Sequence, residues 1–427
     1  MNREEAFARL AAATGRVDDF NSLTAFGGRL VGSPSETAAR QWLHGRLEKI
    51  PDPSLRAYPF PYSGWACSGS SLELLTADGP KQLACHALYW SAATAADGLE
   101  SNLVDVGRGT ETEFNTLASR IPGRIVLVRH EYPFSRQTVH RSLKYERSLQ
   151  GAAAGFIIVN NNPGDLLVSG ACSGDSPRNI PAMGVSHKTG GILTTSEPMR
   201  VRMRVATLRQ PATGVHLMAE VAGETPEWVV VCAHYDGHDV GQSALDNATG
   251  VAASLAIFES FAPVVGRLRR GLRLMLFTAE ESRLMGSRIF LQSLDEGEQR
   301  NIALVLNLDT LAGSPHLTCL TSGFDELEGF VGRSCASARM ERLSCYGPLM
   351  RNSDHFNFAQ RGIPAIRLVA GFDEPEAGAR FILTEADTCE RVSMDELRRA
   401  TIAAGVLVWS ALEWPGRIAS HKAPIAL

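Results

Sequence analysis

Long apolar runs alternate with helical segments from about residue 214 onward, and this alternation constrains the fold more than any other feature. The four apolar runs are 228–234, 271–280, 302–310 and 362–370. The segments between them that space their apolar residues as a helix does are 250–262, 282–294 and 326–340. Strands that are apolar throughout need helices on both faces of their sheet. We therefore expect an α/β fold with a mixed, mostly parallel sheet sandwiched by helices.

The first half of the chain has a different pattern. A helical segment, for which Ser33 or Ser35 is a candidate N-cap, ends before a stretch with four prolines at 51–64. From there, short strands separated by turns predict a β-rich module. We expect three parts: an N-terminal helical part at 1–54, the β-rich module at 55–213 and the α/β domain at 214–427.

Composition and charge disfavour several classes of protein. The formal net charge is -4, so the sequence predicts no basic face for nucleic acid. No window approaches the roughly 18 consecutive apolar residues of a membrane span, and the first residues lack the pattern of a secretory signal. We expect a cytoplasmic protein without nucleic acid or membrane partners, and a homo-oligomer is compatible with the sequence. The eight cysteines include no CxxC pair, which disfavours a thiolate zinc site or a disulfide framework.

Potential metal ligands follow three of the four predicted strands. These residues are His234 and Asp236 after the first strand, Glu280 and Glu281 after the second, and Asp309 after the third. Ligands of open α/β sheets bind beyond the carboxyl ends of the strands. A single acid there is ordinarily a helix cap or a solvated loop group. Several carboxylates at one edge repel each other, and a divalent cation is the usual way to hold them together.

Asp246, at the start of the following helix, joins these groups as a candidate bridge between two metal ions. Imidazole and carboxylate ligands without thiolate favour zinc, with manganese and cobalt as weaker candidates. Two ions about 3.5–4 Å apart polarise a carbonyl and activate water. Glu280 and Glu281 point in different directions, so we expect one to bind metal and the other to act as general base. Asp236 is either a turn residue or a catalytic support that orients the imidazole of His234.

Five strings resemble the co-catalytic zinc exopeptidases, the family that includes bacterial leucyl aminopeptidases and glutamate carboxypeptidase. They are HYD at 234–236, DNATG at 246–250, TAEESRLMGS at 278–287, NLD at 307–309 and SDHFNFAQRGIPA at 353–365. The resemblance implies the zinc exopeptidase fold with two zinc ions. By this resemblance His234 and Asp309 bind one zinc, and Glu281 binds the other. Asp246 then binds both ions, and Glu280 is the general base.

The module at 55–213 resembles a protease-associated (PA) domain. The strings that carry this resemblance are at 123–135, 151–164 and 179–186. Relatives carry such a domain as an insertion after the first helix of the peptidase domain. The whole resemblance implies a metal-dependent exopeptidase, foremost an aminopeptidase that hydrolyses peptide or amide bonds through zinc-activated water. A carboxypeptidase or small-molecule amidohydrolase with the same site, and a catalytically inactive binding protein of the same fold, stay open as alternatives.

Two positions depart from the family's pattern. The family takes its last zinc ligand from a histidine four residues before a late Asp-Thr pair, where this chain has Leu383. Either His238 or His355 is a candidate replacement. We favour His238 because it lies in the metal-bearing loop and outside the usual pattern, and the alternative is an uncoordinated loop histidine. Some relatives stabilise the oxyanion with a tyrosine at the position of Met350. The neighbouring Arg351 and Asn352 are candidates for contact with a substrate carboxylate or oxyanion, or for a structural salt bridge.

Overall fold

One hydrogen-bonded sheet runs through both halves of the chain. The structure is a computed structural model, and it describes residues 2–14, 17–195 and 199–425. The strands are β1 Ser54–Thr76, β2 Gly79–Leu83, β3 His86–Ala87, β4 Leu99–Asp105, β5 Ile125–Arg129, β6 Gly155–Val159, β7 Ala182–Val185, β8 Arg200–Val221, β9 Trp228–His234, β10 Gly271–Phe277, β11 Ile302–Leu308, β12 Leu317–Leu320, β13 Ser344–Tyr346 and β14 Ala365–Ala370. Their order in the sheet is β13-β12-β14-β11-β9-β10-β8-β4-β5-β6-β7-β3, with β1 paired to β2 and β8.

Helices follow many of these strands. The α-helices of the described residues are α1 Arg3–Thr14, α2 Asp18–Ala25, α3 Pro34–Leu47, α4 Glu111–Thr116, α5 Arg141–Gln150, α6 His187–Leu193, α7 Thr249–Val265, α8 Met285–Ser293, α9 Glu296–Arg300, α10 Asp325–Ser337, α11 His355–Gln360 and α12 Met394–Glu413. Helices α7 and α12 pack on β9 and β11, and α11 packs on β11 and β14.

The sheet of the carboxyl-terminal half is mixed and mostly parallel. Strand β9 pairs in parallel with β10 and β11, and β11 pairs in parallel with β14. Antiparallel neighbours, β8 and β12, follow on the two sides. Strand β14 is buried along its whole length, and β9 is buried at every position except its first. The predicted fold class is confirmed, because these are the apolar runs whose composition requires cover on both faces.

Helix α7 is the most apolar helix that contacts the central strands. Together with the preceding turn Ala244–Ala248 it forms the stretch Ala244–Val265, which is long and apolar enough by composition to cross a membrane. However, 83% of its most apolar window is buried inside the protein, where α7 packs against α1, α12, β9 and β10. This burial explains the apolar composition as that of a core helix.

The N-terminal part supports the loop that follows β9. Helix α3 begins after Ser33, whose hydroxyl accepts the N–H of Glu36 at 3.1 Å, so one of the two predicted caps is used. Arg29, in the preceding loop, is completely buried. Its guanidinium donates to three backbone carbonyls in the segment 235–243. The helical segment and this loop therefore hold the start of the candidate site in place.

A long antiparallel ribbon of β1 and β8 connects the two halves of the chain. Strand β8 continues without interruption through 213 and 214, so the division into 1–54, 55–213 and 214–427 stays a prediction. Beyond the ribbon, β4, β5, β6 and β7 form a parallel sheet. This module contacts the other half directly, because Tyr132 donates its hydroxyl to the carbonyl of Gly371 at 2.6 Å. The N–H of Ser169 likewise donates to the carbonyl of Leu383 at 2.7 Å.

Candidate metal centre

The carboxyl ends of β9, β10 and β11 bring the predicted ligands together. His234 Nε2 lies 3.1 Å from Asp246 Oδ1 and 3.8 Å from Asp309 Oδ1. One ligand atom from each of these three buried residues lies within 4.8 Å of the others. We call these three residues the first ligand group. Its composition, one imidazole and two carboxylates, is a ligand set that zinc accepts.

A second ligand group shares one residue with the first. It consists of His238, Glu281 and again Asp246, and His238 Nε2 lies 2.8 Å from Glu281 Oε1. Asp246 therefore occupies the position of a bridging carboxylate. Leu383 lies in the wall of the cavity above these ligand groups, and its side chain is apolar and buried. Among the described residues His355 belongs to neither group, so the structure places His238, and not His355, among the potential ligands.

The donor atoms of the two groups fit a bound cation. Three buried atoms, His234 Nε2, His238 Nε2 and Glu281 Oε1, have no hydrogen-bond partner among the described residues. Each lies close to an oppositely charged group without the alignment of a hydrogen bond. Buried polar atoms without partners are destabilising. A cation at the centre of each group would satisfy these atoms together, and three protein ligands per ion would leave a position open for water or substrate.

Asp236 supports the centre from behind the ligands. This residue is completely buried, and its carboxylate accepts the backbone N–H groups of Glu280 and Glu281, both at 3.2 Å. Its backbone carbonyl lies 3.2 Å from His234 Nδ1, and its Oδ1 lies 3.6 Å from the same nitrogen. Asp236 thus positions both the imidazole and the glutamate pair, which is more than a turn residue does.

Glu280 is buried in the cavity wall next to the ligand groups. The carboxylate of Glu280 forms a third possible metal-binding set together with His234 and Glu281. Burial raises the pKa of Glu280 well above its usual range, and the charge of Glu281 adds to this effect while that of His234 opposes it. A carboxyl group with a raised pKa can accept and return a proton near neutral pH. The position and the pKa of Glu280 therefore suit a general base.

Two buried supports, Asp387 of the late Asp-Thr pair and Arg367, received no role from the sequence. Asp387 accepts the N–H of Leu245 at 2.7 Å and that of Asp246 at 3.3 Å, which fixes the backbone of the shared ligand. Arg367 Nη2 lies 3.1 Å from Asp309 Oδ2, and both side chains are buried. The available signal for Arg367 was a charged residue within the apolar run 362–370, because a buried charge needs a partner.

The charge of Asp309 is maintained by this pairing. Burial alone would raise the pKa of its carboxyl group. Arg367 and His234 outweigh burial and hold the pKa of Asp309 below its usual range. The carboxylate is therefore ionised, as metal coordination requires.

The SDH string, 353–355, contributes three buried side chains, none of which belongs to a ligand group. Neither ring nitrogen of His355 has a hydrogen-bond partner among the described residues. Burial lowers the pKa of His355 to about 3, with help from Arg367, so its imidazole is neutral. Burial raises the pKa of Asp354, which the sequence analysis did not single out, to about 7. The charge of His234 opposes this rise and that of Asp309 adds to it, so Asp354 belongs to the electrostatic environment of the centre.

Both halves of the chain form the cavity above the centre. The cavity has a volume of about 900 Å³, including space open to solvent, and its wall includes the segment 130–144 of the β-rich module. His130 and His140, which the sequence suggests are surface or hydrogen-bonded histidines, lie in this wall but in neither ligand group. The module therefore supplies part of the wall around the candidate metals.

A mixed α/β sheet whose strand ends carry two histidine–carboxylate groups with a shared aspartate is the arrangement that the resemblance to co-catalytic zinc exopeptidases implies. Residues 216–408 match the family described as Peptidase family M28, and residues 73–193 match the PA domain. The carboxyl-terminal half of the chain is thus similar to peptidase family M28, and the module before it is similar to a PA domain. The resemblance inferred from the five strings is confirmed.

Known proteins with similar sequences or structures carry aminopeptidase names. The chain is 31% identical to leucine aminopeptidase 2 of Trichophyton rubrum over 258 residues, which are 56% of this chain and 50% of that relative. It therefore spans about half the length of this relative. It is 23% identical to aminopeptidase YwaD of Bacillus subtilis over 397 residues, covering 91% of this chain and 82% of the relative. The solved structure of BSAP, a zinc aminopeptidase from Bacillus subtilis, superposes with a TM-score of 0.72 at 21% identity, covering 96% of this chain and 95% of that one. This structural similarity shows a shared fold.

Proposed function

We propose that the protein is a zinc-dependent aminopeptidase that hydrolyses the first peptide or amide bond of its substrates. The observation that carries this proposal is the position of Asp246, which belongs to both ligand groups. Two groups with one shared carboxylate are the arrangement that holds a pair of metal ions. The choice of zinc is supported by the ligand types and by the name of the Bacillus subtilis zinc aminopeptidase with the same fold.

His234, Asp246 and Asp309 would hold one zinc ion, and His238, Asp246 and Glu281 would hold the other. Bound there, the pair of ions supplies a polarised scissile carbonyl and a water of lowered pKa. Glu280 takes a proton from that water onto its carboxylate and returns it to the nitrogen of the leaving amine. Asp236 keeps Glu280 in place through the hydrogen bond from the backbone N–H of Glu280. His238 takes over the ligand role that Leu383 cannot fill.

The variant Glu280→Gln tests the proposal most simply. Glutamine keeps the size of the side chain but cannot act as a base, so the variant should bind zinc like the wild type. Loss of general base catalysis lowers the rate by about 10²–10⁴-fold. The measurement is kcat/KM on a dipeptide amide, with the zinc content of each sample determined in parallel. Unchanged kcat/KM in a zinc-loaded Glu280→Gln variant would remove Glu280 from its role.

The comparison of substrates separates an aminopeptidase from its alternatives. We expect hydrolysis of peptides with a free amino group and much slower hydrolysis of the same peptides after N-acetylation. Preference for the acetylated peptides would favour a carboxypeptidase or an amidohydrolase with the same site. Absence of both zinc and hydrolysis would favour a binding protein. The cytoplasmic location stays a prediction, and fractionation of cells tests it.

A further inference from the structure

Besides Arg367, three arginines line the cavity together with the carboxylates of the metal centre: Arg141, Arg283 and Arg351. We propose that this arginine cluster binds a carboxylate carried by the substrate, and that the enzyme therefore prefers short peptides with an acidic group. This inference rests on the proposed function and adds the chemical class of its substrate. The shared chemistry is a carboxylate, which a peptide can offer as an acidic side chain or as its terminal group.

The charges of the arginine cluster are less compensated than those of the other cations in the wall, because Glu146 attracts Arg351 only from beyond ion-pair distance. Other cations of the cavity wall have partners, because Lys144 lies 3.0 Å from Glu131 and Arg367 lies 3.1 Å from Asp309. Within residues 2–14, 17–195 and 199–425, none of the three clustered arginines takes part in an ion pair. The wall therefore carries an excess of positive charge that a substrate anion can neutralise.

The acids of the metal centre do not remove this excess. The acids with the strongest effect on Arg141 include Glu281, Asp246 and Glu280, all of which belong to the centre. With Asp309 they provide four negative charges, which two divalent cations would offset, and Arg367 beside Asp309 would then add a further positive charge. With metals bound, the positive charge of the cluster is therefore left for a ligand of opposite sign.

Arg141 is held rigidly for this role. Only 8% of Arg141 is exposed, and its Nε donates to the carbonyl of Ala171 at 2.7 Å. A side chain at Gly170 would collide with the guanidinium, since a Cβ there would lie 3.0 Å from Nη1 and nearer still to the rest of the group. The planar fork of a fixed guanidinium matches the two oxygens of a carboxylate. Because the side chain of Arg141 is already fixed, it loses little conformational entropy when a carboxylate binds.

The positive charges of the three arginines all reach one residue of the cavity wall, His140. His140 lies in the same wall, and burial together with Arg141, Arg283 and Arg351 lowers its pKa to about 3. The imidazole is therefore neutral, and its Nδ1 lies 2.8 Å from the hydroxyl of Ser142. The wall thus concentrates positive charge from three arginines around a neutral polar group.

Arg283 reaches the cavity from a constrained backbone. Its φ angle is 61°, and that of the next residue, Leu284, is 59°. Residues other than glycine rarely adopt this left-handed conformation, and such residues cluster at functional sites. The N–H of Leu284 donates to the carbonyl of Glu280 at 2.7 Å. The turn that presents Arg283 is therefore tied to the general base.

Pairs of substrates that differ only in one charge test the arginine cluster. The first pair is Leu-Glu-NH₂ and Leu-Gln-NH₂, the second is Glu-Leu-NH₂ and Gln-Leu-NH₂, and the third is Leu-Leu and Leu-Leu-NH₂. These pairs separate an acidic side chain after the scissile bond, an acidic side chain before it and a terminal carboxylate. In the wild type we expect at least one acidic member to have a kcat/KM about tenfold or more above its neutral partner.

Two variants of the cluster and one control complete the test. Arg283→Gln and Arg351→Gln should each reduce the acidic-to-neutral ratio of kcat/KM to about a third or less of its wild-type value. Arg288→Gln removes an exposed arginine of α8 that does not line this cavity, and it should keep the wild-type ratio. A ratio near one in all three substrate pairs would overturn the inference. An unchanged ratio in both cluster variants would also overturn it.

A binding measurement separates this inference from the proposed function. Zinc-loaded Glu280→Gln protein, titrated calorimetrically with each peptide, should bind the preferred acidic peptide about tenfold more tightly than its neutral partner. Tighter binding of the acidic peptide, with no hydrolysis by the wild type, would support the role of the arginine cluster and contradict the aminopeptidase proposal. Hydrolysis with equal binding of both peptides would support the aminopeptidase and contradict the cluster.

Discussion

Replacing Asp236 with asparagine tests whether buried support behind the ligands determines activity. The carboxylate accepts two backbone N–H groups, from Glu280 and Glu281, and each bond measures 3.2 Å. An asparagine side chain has one carbonyl oxygen, so its NH₂ group must face the second N–H. The change therefore removes one charge-assisted hydrogen bond, a loss of about 1.5–3 kcal/mol. Expressed as a rate, this loss corresponds to about 10–100-fold in kcat/KM.

The assay is kcat/KM of Asp236→Asn at saturating zinc, with the thermal unfolding midpoint measured on the same samples. We expect kcat/KM to fall by about 10–100-fold, as changes behind metal ligands typically do, and the midpoint to decrease. Asp239→Asn is the matched control, because this loop aspartate contacts His86 at 3.0 Å and Ser169 at 3.0 Å outside the ligand groups. Wild-type kcat/KM in Asp236→Asn would refute the reasoning.

Two further predictions concern the loop after β9 and the protons of the centre. Gly237→Ala should weaken zinc binding at the second ligand group, because a Cβ at this position would lie 2.5 Å from that of Ser243, whose hydroxyl accepts the N–H of His238 at 3.0 Å. Gly45→Ala, with open space around its Cβ, is the control and should keep the wild-type zinc affinity. Zinc binding at pH 7 should release protons, and zinc affinity should fall as the pH is lowered. The reason is that neighbouring carboxylates outweigh burial and raise the pKa of His234 and His238, so their imidazoles bind protons more readily and zinc must displace these protons. Calorimetry in two buffers of different ionisation enthalpy measures this release, and identical heats in both buffers would contradict it.

The sequence was most informative where a residue pattern had one physical explanation. Four apolar runs had to be buried strands, and the polar residues at their ends had to meet at one edge of the sheet. The structure shows those strands as β9, β10, β11 and β14. His238 could be singled out because the resemblance left one ligand position, Leu383, without a donor atom.

Elements held by long-range contacts could not be read from the sequence. The ribbon of β1 and β8 contains Pro59 and Pro61, which weaken a strand prediction although both lie paired in β1. Strand β13 has three residues, too few to show a period.

Buried charged supports escaped the sequence analysis for a similar reason. Arg29 resembles a surface arginine in the sequence, and only the fold shows that it is buried. Arg367 lies within an apolar run, but the sequence does not show that its partner is Asp309. Asp354 lies in the SDH string that carries the family resemblance. Its burial and its raised pKa nevertheless depend on groups distant in the chain, so the sequence could not indicate them. Charges of this kind are recognised by their surroundings, which the sequence does not display.

The zinc content of purified protein tests the central claim, that His234, Asp246 and Asp309 bind one zinc while His238, Asp246 and Glu281 bind a second. Elemental analysis should find two zinc ions per chain in the wild type and in His355→Ala. His238→Ala should retain one ion, bound by the first ligand group, and should lose most of its activity. Two ions in His238→Ala, or none in the wild type, would contradict the account.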